Sequence, residues 1–490
     1  MYPFRSSEGI LVKMRSELIG NSRNSRFAIA VAAVAVLAMG CDSTQPDDRG
    51  SGGREDSSRE GQNSRNGDAH RPNVLIIVTD DQPASMMRVM RKTRDHLGRE
   101  GVTFSNTVVS TPLCCPSRAS ILSGQFAHNH GVSTNGKSTV QNFNGASSLA
   151  TALRNGGYFT GIVGKYMNAW SRAFDRPHGF GRWAVYDKGS NPLFTEALFN
   201  IDGRVRTVNE YATSFTERKA IQFLEEFDAE DDTAPWFLLV APHAPHEPAT
   251  PEPRYRDAPV PPLRVGPTIG GGMDDKPEWV RQVANRDQSG SSELHARMQR
   301  SLLSVDDMVD KIMNWLESHG DADNTIIFYT SDNGFMFGEH GLSGKRHPYD
   351  PSVRVPLLMR WRAGGVPSGA TDRRIAANVD IAPTVFDAAN IDPGWSFDGR
   401  SLLGDFERDE MLIEFSDPKS RTPPYAMLWH PRWSFIRYPE SGDLEYYGRN
   451  DPHQTSNLYG DGLEGNEPAN ERDLIRRLRG YEACERTHCP

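Results

Sequence analysis

Four uninterrupted apolar, β-branched runs, each followed at once by acids, amides, a lysine or histidines, constrain this chain more than any other feature of it. Asn73-Val74-Leu75-Ile76-Ile77-Val78 leads to Asp80 and Asp81, and Tyr158-Phe159-Thr160-Gly161-Ile162-Val163 leads to Gly164-Lys165. Trp236-Phe237-Leu238-Leu239-Val240 leads to Pro242-His243-Ala244-Pro245-His246, and Thr325-Ile326-Ile327-Phe328-Tyr329-Thr330 to Ser331-Asp332-Asn333-Gly334. A strand without polar alternation is buried on both faces, as in parallel sheets covered by helices. Ligands of open α/β sheets bind beyond the carboxyl ends of the strands, so the four polar ends are expected to share one site. Crossover helices are expected between them. The clearest spans 300–317, where Leu302, Val305, Val309, Ile312 and Leu316 make a core-facing stripe. Residues 248–292, rich in Pro, Gly and charge, read as a long loop that could frame a substrate.

At 490 residues the chain exceeds the ~250–300 at which one core usually stops growing, so a large and a small domain are expected. Lys and Arg total 55 against 64 Asp and Glu, a net charge of −9 that argues against nucleic acid as a partner. Any grip on an anion must be local. The basic residues Arg5, Lys13, Arg15, Arg23 and Arg26 precede an apolar run from Phe27 to Met39, the pattern of an export signal, with Met14 an alternative start. The run falls short of the ~20 apolar residues of a bilayer span. Leu37-Ala38-Met39-Gly40-Cys41 resembles a bacterial lipobox, which implies a lipid anchor at Cys41 and a place in the cell envelope, otherwise in the periplasm or outside the cell. Residues 42–70 are too polar to fold and read as a tether. Cys484 and Cys489 are close enough to pair in an oxidising compartment. The expected organisation is therefore a signal over 1–41, a linker over 42–70, a catalytic domain over 71–385 and a smaller domain over 386–490.

The run Cys114-Cys115-Pro116-Ser117-Arg118-Ala119-Ser120-Ile121-Leu122-Ser123-Gly124 reads as a reactive turn feeding a short helix. Pro116 suits a first helical position, and the free amides at such an end attract an anion. Adjacent cysteines rarely bridge each other, because a disulfide wants Cα atoms ~5.5 Å apart. Two buried structural thiols are the alternative. Asp80, Asp81, Asp332 and the carbonyl of Asn333 are hard oxygen ligands suited to calcium, with magnesium second. The competing role for these Asp-Asp and Asp-Asn pairs is helix capping.

The Cys114 run matches every fixed position of the sulfatase signature Cys-x-Pro-Ser-Arg-x-x-x-Leu-(Thr/Ser)-Gly, and on that resemblance the chain is identified as a member of the sulfatase family. Thr79-Asp80-Asp81-Gln82, Gly164-Lys165, Pro245-His246 and Ser331-Asp332-Asn333-Gly334 follow in family order, and the likeness covers roughly residues 71–460. Leu113 to Leu122, His128-Asn129-His130, Leu303-Ser304-Val305-Asp306-Asp307 and the terminal cysteines most resemble the N-acetylglucosamine-6-sulfatase group and its bacterial relatives. The resemblance implies an alkaline-phosphatase-like α/β fold: a large mixed, mostly parallel sheet flanked by helices, then a smaller C-terminal α+β domain with an antiparallel sheet. It implies a sulfated carbohydrate as substrate. It further implies that a maturation enzyme oxidises Cys114 to Cα-formylglycine, also called 3-oxoalanine. One hydroxyl of the hydrated aldehyde attacks sulfur and expels the sugar alcohol; loss of the other's proton then expels sulfate by C–O cleavage.

The same resemblance places Cys114 with Asp80, Asp81, Asp332 and Asn333 around the metal. Lys165 and Lys345 balance charge on the sulfuryl oxygens, Arg118 orients the hydrate, and His246 protonates the leaving oxygen. His243 is expected to support the site. Where many arylsulfatases carry Lys-x-His, this chain has Lys165-Tyr166-Met167-Asn168, which leaves the base of the elimination step open; Asn168 could bind the hydrate. Residues 433–438 and 445–447 alternate like antiparallel strands, and 471–483 look helical. Two other readings stay open: a formylglycine-dependent phosphonate or phosphate diester hydrolase, and a surface glycan-binding lipoprotein without turnover.

Overall fold

The four apolar runs are neighbouring strands at the centre of one sheet. The computed structural model describes residues 71–484, apart from 169, 171–175, 188–193, 232, 265, 270–272, 274, 285–288, 449 and 460–470. The expected signal, the Cys41 anchor, the tether and Cys489 lie outside these. In chain order the strands are β1 (Asn73–Thr79), β2 (Val102–Val108), β3 (Phe159–Gly164), β4 (Arg182–Tyr186), β5 (Ala197–Ile201), β6 (Arg204–Val208), β7 (Trp236–Ala241), β8 (Thr325–Ser331), β9 (Met336–Phe337), β10 (Ser343–Gly344), β11 (Leu357–Arg360), β12 (Ala370–Ala377), β13 (Met411–Phe415), β14 (Tyr425–His430), β15 (Trp433–Arg437) and β16 (Leu444–Tyr447). Ten of them form a sheet in the order β12-β2-β11-β8-β1-β7-β3-β4-β5-β6.

The block β8-β1-β7-β3-β4 is wholly parallel, in register from Val74 opposite Phe237 and Ile326. Antiparallel pairings through β11, β5 and β6 flank it, and β12 runs parallel to β2. Successive residues of a strand face opposite sides. Leu75, Ile77, Leu238, Val240, Ile327 and Tyr329 accordingly join one core, with the helices Ala212–Glu230 and Ser291–His319. Val74, Ile76, Phe237, Leu239, Ile326 and Phe328 join the other, with Cys114–Ser123, Leu149–Asn155 and Ile381–Ala389. Two apolar faces explain why these strands carry no polar alternation.

The crossover helix expected over 300–317 begins earlier, at Ser291, and runs to His319. Its first turns are polar because they flank Pro261 and Ala258 of the long loop, which Gln299 and Arg300 hold through their carbonyls. That loop carries a 3-10 turn, Pro253–Tyr255, and a helix, Glu278–Val283, neither anticipated from its composition. No helix among the described residues is long and apolar enough to cross a membrane.

β13 to β16 form an antiparallel sheet, and the helix Glu471–Glu482 packs Leu474 and Leu478 into its core. β15 and β16 occupy the two stretches read as alternating. The boundary expected between 385 and 386 falls inside the helix Ile381–Ala389, and the described residues form one compact unit. Asp380 and Arg408, both buried, tie the start of that helix to the approach to β13 by two bonds of 2.7 and 2.8 Å. Asp380 also accepts the amides of Ala377 and Arg400. Arg408→Ala leaves this buried carboxylate without its cation and should cost about 3–5 kcal/mol, read as a lowered urea midpoint.

Candidate active site

Asp80 and Asp81 follow β1, and a regular strand would turn them to opposite faces. Asp81 instead adopts φ 68°, a left-handed conformation that Asp tolerates better than most residues, and the chain breaks out of the strand there. The Asp81 amide donates to Asp332 Oδ1 at 3.1 Å, across the gap between β1 and β8. Gly164 ends β3 at φ 101°, where a Cβ would lie 2.0 Å from the Ala241 carbonyl at the end of β7. Only glycine permits that approach, and the next residue is Lys165. The ends of four adjacent strands thus meet as the sequence suggested.

The Cys114 run forms the helix Cys114–Ser123, buried along its whole length and closed by Gly124 at φ 72°. It starts two residues before the position expected, so Pro116 is its third residue, still within the turn whose amides have no helical acceptor. The Cys115 amide is held instead by Asn135 Oδ1 at 2.9 Å, a partner no sequence motif marked. Arg118 lies one turn beyond Cys114 and faces the same side. Its Nε donates to Asp332 Oδ2 at 2.8 Å and its Nη1 to the Lys165 carbonyl at 2.9 Å, while Nη2 is buried without a partner among the described residues.

Three buried carboxylates and three cations are therefore interleaved. Lys165 Nζ lies 2.5 Å from Asp80 Oδ2 and 4.0 Å from Asp332 Oδ2. Lys345 Nζ contacts Asp81 and sits 2.8 Å from the Cys114 sulfur, itself 3.7 Å from Asp80 Oδ1. Burial pushes the Asp80 carboxyl up, but Lys165, His246 and His243 outweigh it and hold it well below the usual range. Asp81 is lowered against burial by Lys345 and His246. Asp332 is raised by burial and by Asp80, despite Arg118 and Lys165. Burial also raises the Cys114 thiol against the pull of both lysines, so the unmodified sulfur stays protonated.

Ligand atoms of Asp80, Asp81, Cys114 and Asp332 all lie within 4.8 Å of one another, among buried side chains. Asn333 donates its amide to Asp81 Oδ1 at 2.7 Å, and its buried Oδ1 has no partner among the described residues. An orphaned carbonyl beside three carboxylates fits a hard divalent cation. His243 is buried 3.0 Å from Asp80 Oδ2, and burial lowers its imidazole to about 4, which keeps it neutral. His246 is part-exposed, with Nε2 3.6 Å from Asp81 Oδ2 and Nδ1 2.6 Å from the Glu247 carbonyl. The Asn168 backbone amide lies 3.0 Å from the Cys115 sulfur, and its buried Oδ1 has no partner among the described residues. A cleft of about 530 Å³, within the range of small-molecule pockets, is lined in part by Asp81, His246 and Lys345.

Residues 72–391 match the family described as Sulfatase, and residues 338–478 the one described as N-sulphoglucosamine sulphohydrolase, C-terminal. The chain belongs to the sulfatase family. It is 34% identical over 382 residues to human N-acetylglucosamine-6-sulfatase, covering 70% of this chain and 67% of that one. It is 27% identical over 417 residues to N-acetylglucosamine-6-O-sulfatase of Bacteroides thetaiotaomicron, covering 69% and 72%. A protein solved in complex with its substrate D-glucosamine-2-N,6-O-disulfate shares the fold of this sulfatase, with a TM-score of 0.73 at 23% identity over 84% of this chain and 97% of that one. A phosphonate monoester hydrolase from Silicibacter pomeroyi shares it at a TM-score of 0.66 and 22% identity, over 84% and 94%. The alkaline-phosphatase-like architecture expected from the motifs is thereby shown.

Asn135→Ala removes the acceptor of a buried amide at the head of the Cys114 helix. The expected loss is about 1–3 kcal/mol of stability, measured by urea denaturation, with the fold retained.

Proposed function

We propose that this sulfatase releases sulfate from sulfated amino sugars of glycosaminoglycan-type glycans, with the 6-O-sulfate of N-acetylated or N-sulfated glucosamine as the ester cleaved. The observation that carries the reading is the meeting of Cys114 with three carboxylates, two lysines and Arg118 at the edge of the cleft. The activities named for the human and the Bacteroides relatives support the sugar.

Cys114 is the residue to be oxidised to formylglycine by a maturation enzyme, since a buried, protonated thiol is a poor nucleophile. Asp80, Asp81, Asp332 and Asn333 would hold calcium, which supplies charge neutralisation for the sulfuryl oxygens. Without the ion the three carboxylates are balanced by Lys165, Lys345 and Arg118; a divalent cation leaves the pocket positive and suited to an anionic ester. Lys345 bridges the Asp81 carboxylate and position 114, so its ammonium can follow charge from the bound sulfate to the nucleophile. Arg118 Nη2, a donor without a protein acceptor, is free to hold a hydroxyl at position 114. With Nδ1 engaged by the Glu247 carbonyl, His246 offers Nε2 to the leaving oxygen of the sugar. His243 keeps Asp80 in place. Export by the signal over 1–41 and lipid anchoring at Cys41 complete the proposal and suit a substrate met outside the cytoplasm.

Peptide mass spectrometry across Cys114 of active protein should find the aldehyde in place of the thiol; active protein with only alkylatable thiol there would remove the mechanism. Cys114→Ala and Asp332→Ala should each lower kcat/KM for the 6-sulfated sugar by at least ~10³-fold in folded protein. Chelation should abolish turnover and calcium restore it. Faster cleavage of an aryl phosphonate monoester than of every sugar sulfate would favour the hydrolase chemistry of the Silicibacter neighbour instead.

A further inference from the structure

The cleft beside the cluster carries more positive charge than a single sulfate ester needs. Besides Lys345, which Asp81 pairs, its lining includes Arg346, Lys419 and Arg421. None of these three makes an ion pair among the described residues, although the whole chain bears a net charge of −9. Among the described residues, Glu247 is the one acidic residue of the lining other than Asp81.

The three are placed rather than scattered. Arg346 adopts φ 84°, a strained conformation for a long side chain, and its amide donates to the Pro112 carbonyl at 3.0 Å, just ahead of the Cys114 helix. Lys345 and Arg346 are thereby parted, the first reaching the cysteine and the second lining the cleft. Arg346 Nε is buried and has no hydrogen-bond partner among the described residues, an expensive state for a guanidinium nitrogen. Lys419 and Arg421 lie on the connection between β13 and β14, whose Phe415 and Tyr425 pair across its base. Its shape is set by bonds from the Lys419 amide to Asp417 Oδ1 at 3.0 Å and from the Thr422 amide to Ser420 Oγ at 3.1 Å. Thr422 Oγ1 lies 3.0 Å from His347 Nδ1, which fastens this hairpin to the Arg346 turn. Burial lowers the His347 imidazole to about 4, so the fastening adds no further cation.

We propose that Arg346, Lys419 and Arg421 form a second anion subsite, which holds a sulfate or carboxylate group that the glycan carries in addition to the ester being cleaved. Guanidinium groups suit both anions through paired N–H donors. The proposal rests on the sugar-sulfatase reading above and narrows its substrate to multiply anionic glycans. The small antiparallel sheet then contributes to the choice of substrate through one hairpin.

The test compares kcat/KM for three probes: D-glucosamine-2-N,6-O-disulfate, N-acetylglucosamine-6-sulfate, and a disaccharide joining the latter to a uronic acid. The unsubstituted protein should favour at least one doubly anionic probe over the monosulfate by tenfold or more. Which probe is favoured tells a second sulfate on the same sugar from a carboxylate on its neighbour. Lys419→Ala/Arg421→Ala and Arg346→Ala should each lower kcat/KM for that probe at least tenfold more than for the monosulfate, chiefly through KM. Arg346→Lys should restore part of the difference. Equal losses on all three probes, or an unaltered preference in both variants, would overturn the subsite. Calorimetric binding of the same sugars to Cys114→Ala protein reads the preference without turnover: selective binding with no turnover by the unsubstituted protein would defeat the catalytic reading alone, and equal binding would defeat the subsite.

Discussion

Three carboxylates held out of water within a few ångströms of each other repel strongly, and the site exists because Lys165, Lys345 and Arg118 are interleaved with them. A lone charge in such surroundings would be far too costly, so each group depends on the others being present. Removing one cation strands a carboxylate. Removing one carboxylate strands a cation next to the Cys114 sulfur. Arg118 carries a further share of this dependence, because it joins Asp332 to the Lys165 carbonyl and so spans β8, β3 and the helix that begins with Cys114.

The parallel block of the large sheet is what makes such a cluster cheap to position. β8, β1, β7 and β3 are neighbours in space, so four segments far apart in sequence deliver their end residues to one edge without long connections across it. The strands are buried on both faces and cannot shift register without exposing a core, which fixes the polar ends as firmly as the apolar interior. Local departures do the fine placement: the left-handed Asp81 turns two adjacent acids inward, and Gly164 lets two strand ends close to within van der Waals reach.

Much of this was legible in the chain because it is written as local pattern. The runs after residues 73, 158, 236 and 325 lack polar alternation, and the structure puts each one in the parallel block. β4, β5 and β6, which extend the sheet beyond β3, leave no clear trace in the sequence because they are short and partly exposed, so their residues mix polar and apolar without a clear period. β13 and β14 carry no signal for the opposite reason, being nearly all buried and too short to tell from other apolar stretches. Lys345 was expected at the site only through the family resemblance, since 231 residues separate it from Cys114 and nothing local to it signals the contact. Asn135 gave no signal at all: an asparagine in a polar segment looks alike whether or not it holds an amide. Asn168 carries no local mark of the contact its backbone amide makes with the Cys115 sulfur.

Cys114 has no solvent-exposed surface, and neither has any residue of its helix to speak of. That burial imposes an order of events. An enzyme large enough to enclose a peptide around this cysteine finds nothing to grasp once the helix has docked between the sheet and Ile381–Ala389. The oxidation proposed for this sulfur would therefore have to precede docking of the helix, and the rate at which this segment folds would set how long the opportunity lasts.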